Sequence, residues 1–179
     1  MRLPGFMRLR AAPLNVAVII CASACLFGQQ PTLQDSLLDS LVGKWVLTGT
    51  VGNTPTTHDV EIRWVLNHQF VQIHEVSREK RAGSQAEPQY EAIVLLGWDA
   101  NKKQYVVYWT DVYGGGFSVR GYAAKMTSSI PIVFKSDDGN FYNTMDYDQS
   151  AGTWRWTMDN EKNGVKEPFA RLTLKRKKG

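Results

Sequence analysis

From Lys44 onward, apolar and polar positions alternate with a period of two, and turn residues interrupt the alternation at short intervals. Residues 90–111, YEAIVLLGWDANKKQYVVYWTD, carry the strongest pattern. Two runs rich in β-branched and aromatic residues flank the polar turn Asp99-Ala100-Asn101-Lys102, where Asp and Asn bend the chain and the runs pair. The same grammar predicts strands over 44–51, 57–66, 69–78, 89–99, 104–111, 117–124, 130–136, 140–147, 153–158 and 167–175. The breaks are Gly52-Asn53-Thr54-Pro55, Asn67-His68, Gly114-Gly115-Gly116, Asp137-Asp138-Gly139, Ala151-Gly152 and Asn163-Gly164, all with turn chemistry. The longest gap, 79–88, is polar and reads as a mobile loop.

Before the strands, residues 32–42 predict a short helix. Thr32 is its expected N-cap and Asp35 sits three residues on; Leu33, Leu37, Leu38 and Leu41 share a face, and Gly43 is placed to end it. So short a helix serves as a lid or plug on a sheet. Ten short strands, hairpin links and no crossover helices define an all-β fold. Closure removes the edges that so long a sheet would expose, which favours an up-and-down antiparallel barrel of about ten strands with a short N-terminal helix.

The first 28 residues stand apart from this pattern. Arg2, Arg8 and Arg10 precede the apolar run VAVIICASACLF, and Ala22-Ser23-Ala24 offers a small-residue cleavage site before Cys25, with cleavage near Gly28 the alternative. The run is short of the roughly 20 residues that span a bilayer. The segment therefore reads as a secretory signal, and residues 29–179 as one barrel domain. Export implies a periplasmic, extracellular or membrane-anchored location. Cys25 follows Ala-Ser-Ala in a loose match to a lipoprotein cleavage box, with Ala22 where a large aliphatic residue is usual, so Cys25 is a candidate lipidation site. Both cysteines lie in this segment, which leaves the barrel without a disulfide. Losing Arg2, Arg8 and Arg10 takes the formal net charge from +4 to +1, which removes the basic balance as a nucleic-acid footprint. The cluster Lys175-Arg176-Lys177-Lys178 reads as a solvated end.

Several pieces resemble a known family. Leu41-Val42-Gly43-Lys44-Trp45 after a short helix resembles the glycine–x–tryptophan opening of lipocalin-like (calycin-like) barrels. Leu66-Asn67-His68-Gln69-Phe70, Leu96-Gly97-Trp98-Asp99 and the strand YVVYWTD resemble, in order and spacing, the secreted bacterial family catalogued as domain of unknown function 1579. The resemblance covers residues 33–175 and implies a ten-stranded barrel with no settled activity. His68 stands where tight turns of this kind use glycine; His tolerates a positive φ better than most residues, so its presence needs no chemistry. Related ten-stranded barrels hold haem through a histidine in the last strands, and here no histidine follows His74.

The sequence offers no catalytic or metal-binding motif. His58, His68 and His74 show no ligand spacing, and no HExxH, cysteine pair or G-x-S-x-G is present. Asp137-Asp138 reads as a turn, Asp146 and Asp148 as a solvated strand end, and the triple glycine lacks the following helix of a phosphate loop. No cofactor, catalytic residue, metal or nucleic-acid partner is expected, and contact with a membrane only through the signal segment or a lipid on Cys25. What stands out is the aromatic load, including six tryptophans. Small barrels are either filled by side chains or hold one small ligand. The binding expectation is a pocket for a small apolar or amphipathic molecule, walled by Trp64, Tyr108, Trp154 and Trp156, with His74, Arg120 or Arg171 orienting a polar group. The alternative is a filled barrel acting as an envelope or partner-interaction module. Alternation does not tell which face is the lumen, because several strands are apolar on both.

Overall fold

A computed structural model describes residues 32–115, 119–124 and 131–178. The N-terminal segment with Cys21 and Cys25, and the expected strand starts Phe117 and Ile130, lie outside the described residues. The chain runs through α1 (Ser36–Leu41), β1 (Gly43–Val51), β2 (Thr54–Val65), β3 (Phe70–Ser77), β4 (Glu91–Asp99) and β5 (Gln104–Asp111). It continues through β6 (Val119–Ala124), β7 (Ile132–Ser136), β8 (Phe141–Asp148), β9 (Thr153–Lys162) and β10 (Val165–Arg176). Every strand pairs antiparallel with its sequence neighbours, and β1 pairs with β10, which closes an up-and-down barrel of ten strands. The closing seam runs from Trp45 opposite Arg176 to Val51 opposite Ala170. β9 and β10 are longer than expected because Asn163 and Gly164, at φ 53° and 76°, form a tight two-residue turn that lets pairing continue to its edge.

α1 is shorter than residues 32–42 and is capped by Asp35, not Thr32. Asp35 Oδ1 accepts from the amides of Leu37 (3.0 Å) and Leu38 (3.1 Å), satisfying two donors that a hydroxyl at position 32 is too far upstream to reach. Its Oδ2 accepts from the Tyr105 hydroxyl at 2.5 Å, tying the cap to β5. Burial is the main reason the Tyr105 phenol is held well above its ordinary pKa, and the Asp35 carboxylate adds to it. Leu37, Leu38 and Leu41 are buried against the barrel core, so α1 plugs one end.

Gly43 does not cap the helix either; it opens β1. A Cβ there would lie 2.1 Å from Arg176 Nη1. The Arg176 guanidinium lies 4.1 Å from the Trp45 ring and donates to the carbonyls of Val42 (2.7 Å) and Ser40 (3.2 Å), while Trp45 Nε1 donates to Leu41 O at 2.6 Å. Helix end, first strand and last strand are thus locked together. The basic C-terminal cluster is used structurally here and is more than a solvated end: Lys177 also reaches Asp59, at 2.9 Å. Arg78 first and Lys177 second hold the Asp59 carboxyl down at about 2.

Other turns follow their chemistry. Leu66, Asn67 and His68 all have positive φ (51°, 53° and 61°), a strained run for non-glycine residues. The His68 ring stacks on Trp64 with centroids 3.9 Å apart, and His68 O accepts from Leu33 N at 3.1 Å, which hold the turn in place. Gly97 faces Phe70 across β3 and β4, and a Cβ there would lie 2.4 Å from the Phe70 ring. The 79–88 segment is no open loop. It extends the β3–β4 hairpin through Gln89 N to Glu79 O (2.8 Å) and Arg81 N to Glu87 O (3.0 Å), with Ser84 Oγ accepting from Glu87 N.

Candidate functional site

Inward positions change character along the barrel. Going away from α1, β2 turns Ile62, Val60, His58 and Thr56 to the interior, and β3 turns Val71, Ile73, Glu75 and Ser77. The half next to α1 is solid, with Trp45, Leu47, Leu96, Tyr105, Met145 and Trp154 all at 0–1% exposure. The other half, where inward residues become smaller and more polar, encloses a cavity of about 800 Å³.

Val107, Phe134, Met158 and Leu172 form its apolar floor, each at most 6% exposed. Gly121 lies among them, where a Cβ would sit 2.9 Å from Lys135 O and 3.1 Å from Val107 Cγ1. Asn143, 6% exposed, accepts through Oδ1 from Trp156 Nε1, which engages that oxygen at the base of the cavity. Phe141 and Phe169 meet edge to face at 5.7 Å on one side of the mouth, and Tyr90, Trp109 and Tyr113 stand on the other.

A polar row crosses this wall. His58 and Glu75 are 4% and 3% exposed and pair through Nδ1 and Oε1. His58 Nε2 lies 2.6 Å from Thr56 Oγ1, which also donates to Glu79 Oε2 at 3.3 Å. Glu79 Oε1 accepts from Thr57 N at 2.9 Å, joining the start of β2 to the end of β3. A second row begins at Trp109 Nε1, which donates to the Tyr90 hydroxyl at 3.1 Å; that hydroxyl donates to Asp111 Oδ2 at 3.3 Å. Burial pushes the Tyr90 phenol far above its ordinary value, and the Glu75 and Asp111 carboxylates raise it further. Hydroxyl, imidazole and carboxyl in a row can activate a nucleophile. Here the hydroxyl is shared with Glu79, and the row braces two strands while presenting polar atoms to a mostly apolar space.

The residues expected to wall a pocket are dispersed. Trp154 and Trp156 do point inward and are buried, beneath the cavity. Trp156 packs edge-on against Trp109 at 5.6 Å; Trp154 stacks on Tyr147 at 4.8 Å. Trp64 sits at the plugged end, where its Nε1 donates to Asp39 at 2.9 Å. Tyr108 and Arg120 are register partners on the outer wall, with Arg120 tied to Asp137 at 2.8 Å. Arg171 also faces outward and pairs with Asp159 at 2.5 Å. His74 is on the outer wall too, 2.7 Å from Glu91, beside a shallow recess of about 230 Å³. Asp146 pairs with Arg155, and Asp148 Oδ1 accepts from Ser150 N at 3.0 Å, so both have structural roles. Among the described residues no group of three His, Cys, Asp or Glu is arranged to hold a metal, and no helix is long and apolar enough to cross a membrane.

Of the groups at the cavity, Glu75, Tyr90 and Asp111 were not singled out in the sequence, His58 was weighed only as a metal ligand, and Trp109 counted only among the aromatic residues of its strand. Their signal was parity: on β2 and β3 they continue the register of Val60, Ile62, Val71 and Ile73. No family model and no curated protein matches this chain.

Proposed function

We propose that this barrel binds a small, largely apolar molecule in the cavity at the end opposite α1. The observation that carries the reading is the volume of about 800 Å³, floored by Val107, Phe134, Met158 and Leu172 and edged by a few polar groups. Small-molecule sites have this composition and occupy roughly 300–1,000 Å³. A volume of this size favours the reading over a filled barrel used as a partner-interaction module. The reading is one of binding, not catalysis, and needs no cofactor. It includes action outside the cytoplasm, supported by Arg2, Arg8 and Arg10 ahead of the apolar run, and kinship to the secreted family that the Gly43–Trp45, Gly97–Asp99 and Tyr105–Asp111 motifs resemble. Intact mass of protein recovered from cells checks export: loss of the residues before Cys25 supports it, and their retention contradicts it.

Binding itself is tested by titrating the protein with linear alcohols of increasing length and following tryptophan fluorescence, since Trp109 is part of the wall. Each methylene that leaves water contributes about 0.8 kcal/mol, so Kd should fall about fourfold per added carbon until the cavity is full. Val107→Phe fills the floor and should abolish the response. No saturable response with any alcohol, or one that Val107→Phe leaves unchanged, contradicts the reading.

A further inference from the structure

The ionisable groups that reach the cavity are mostly of one kind. Among its described lining residues, Glu75, Glu79 and Asp111 carry carboxyl groups and His58 an imidazole, with no lysine or arginine. The guanidinium groups expected to orient a ligand's polar group, Arg120 and Arg171, are bound to Asp137 and Asp159 on the outer wall.

Two of the three carboxyls are fully engaged. Glu79 accepts from Thr57 N and Thr56 Oγ1, and Asp111 from Tyr113 N (2.9 Å) and the Tyr90 hydroxyl. Glu75 differs. It is 3% exposed, its Oε1 is taken by His58, and its Oε2 has no hydrogen-bond partner. A buried carboxyl oxygen without a donor is costly; Oε2 is covered as it stands, and the cavity that Glu75 lines is the side from which a donor reaches it once the side chain turns. Aromatic faces stand close by. The Tyr90 ring centroid is 5.7 Å from that of His58 and 6.2 Å from that of Tyr113, and Trp109 bonds the Tyr90 hydroxyl. Such faces attract cations and offer nothing to anions.

We infer that the cavity selects an amphipathic amine, its apolar tail on Val107, Met158 and Leu172 and its protonated nitrogen donating to Glu75 Oε2 beside the Tyr90 and Trp109 rings. This rests on the binding reading above and adds the chemistry of the head group. An alkylammonium brings several donors and a positive charge to a wall of acceptors. An alcohol brings one donor and no charge. A carboxylate meets carboxyls with no cation among the described lining residues to offset them.

The test uses the full-length protein and three probes of equal tail length, decylamine, decanol and decanoate, titrated at neutral pH below the concentrations at which they self-associate. Decylamine should bind at least about tenfold tighter than decanol, as a charge-assisted hydrogen bond implies, and decanoate should be the weakest. Glu75→Gln should remove the amine preference, bringing decylamine and decanol to within about twofold of each other. Should that variant fail to fold, the three-probe ranking on the natural chain decides alone. Equal affinity for the three probes, or a preference for decanoate, overturns the amine assignment while the cavity remains a binding site. Absence of binding by all three overturns the binding reading along with it.

Discussion

Replacing His58 and Glu75 together by leucine should leave the barrel at least as stable as the natural chain, whereas either replacement alone should weaken it. The two side chains pair diagonally across β2 and β3, at 4% and 3% exposure. Removing one leaves the other as a polar group in an apolar wall without its partner, which costs about 3–5 kcal/mol for a buried pair. Removing both relieves both desolvation penalties and the unpaired Glu75 Oε2, and adds apolar area next to Val60 and Ile73. Such exchanges are neutral or stabilising by about 1–4 kcal/mol. Thr56 loses His58 but keeps Glu79, so the double variant strands no hydroxyl. The coupling between the two positions should therefore be at least about 6 kcal/mol, the two single costs together. Urea unfolding followed by tryptophan fluorescence measures it, provided the four chains share one slope. A single variant within about 1 kcal/mol of the natural chain would refute the reasoning, since the pair would then be solvated through the cavity. So would a double variant as weak as the singles, because the pair would then stabilise the fold by its own geometry. The stabilised double variant should lose the decylamine preference, which separates what Glu75 does for binding from what it does for folding.

Two further outcomes follow from the plugged end and the two raised phenols. Asp35→Ala removes the cap of α1 and leaves the fully buried Tyr105 hydroxyl without an acceptor; about 1 kcal/mol for the cap and about 1–3 for the hydroxyl give a loss of about 2–4 kcal/mol, and thermal unfolding unchanged from the natural chain would show that α1 is no plug. Tyr90 and Tyr105 are both raised above their unfolded value of about 10, so their contribution is complete below that pH and is lost as pH climbs toward the folded values; phenolate absorbance from these rings should appear only together with unfolding, and their titration near pH 10 in the folded barrel would contradict it.

Period-two runs and turn residues located the strands because both are local properties. Asp99 illustrates it: its Oδ1 accepts from Asn101 N and Lys102 N inside the turn, and nothing distant is needed. Gly97 was legible as a motif, but its reason, the Phe70 ring lying against it, belongs to a neighbouring strand. Parity was legible and its sign was not. Tyr108 and Trp109 are both aromatic, and only the register with β4 and β6 puts Trp109 at the cavity and Tyr108 outside. Arg120 and Arg171 looked like ligand groups because Asp137 and Asp159, which hold them outside, are remote in sequence. The cavity itself was written as a gradient on inward positions, from Val71 and Ile73 to Glu75 and Ser77, which becomes readable once the plugged end is known.

The most direct measurement is a crystal structure of the protein grown with decylamine. The cavity reading predicts density for one ligand, its tail over Val107, Met158 and Leu172 and its nitrogen within hydrogen-bonding distance of Glu75 Oε2. A cavity closed by inward movement of Phe134, Phe141 or Phe169, or the same probe found only on the outer wall beside Tyr108 and Arg120, would contradict it.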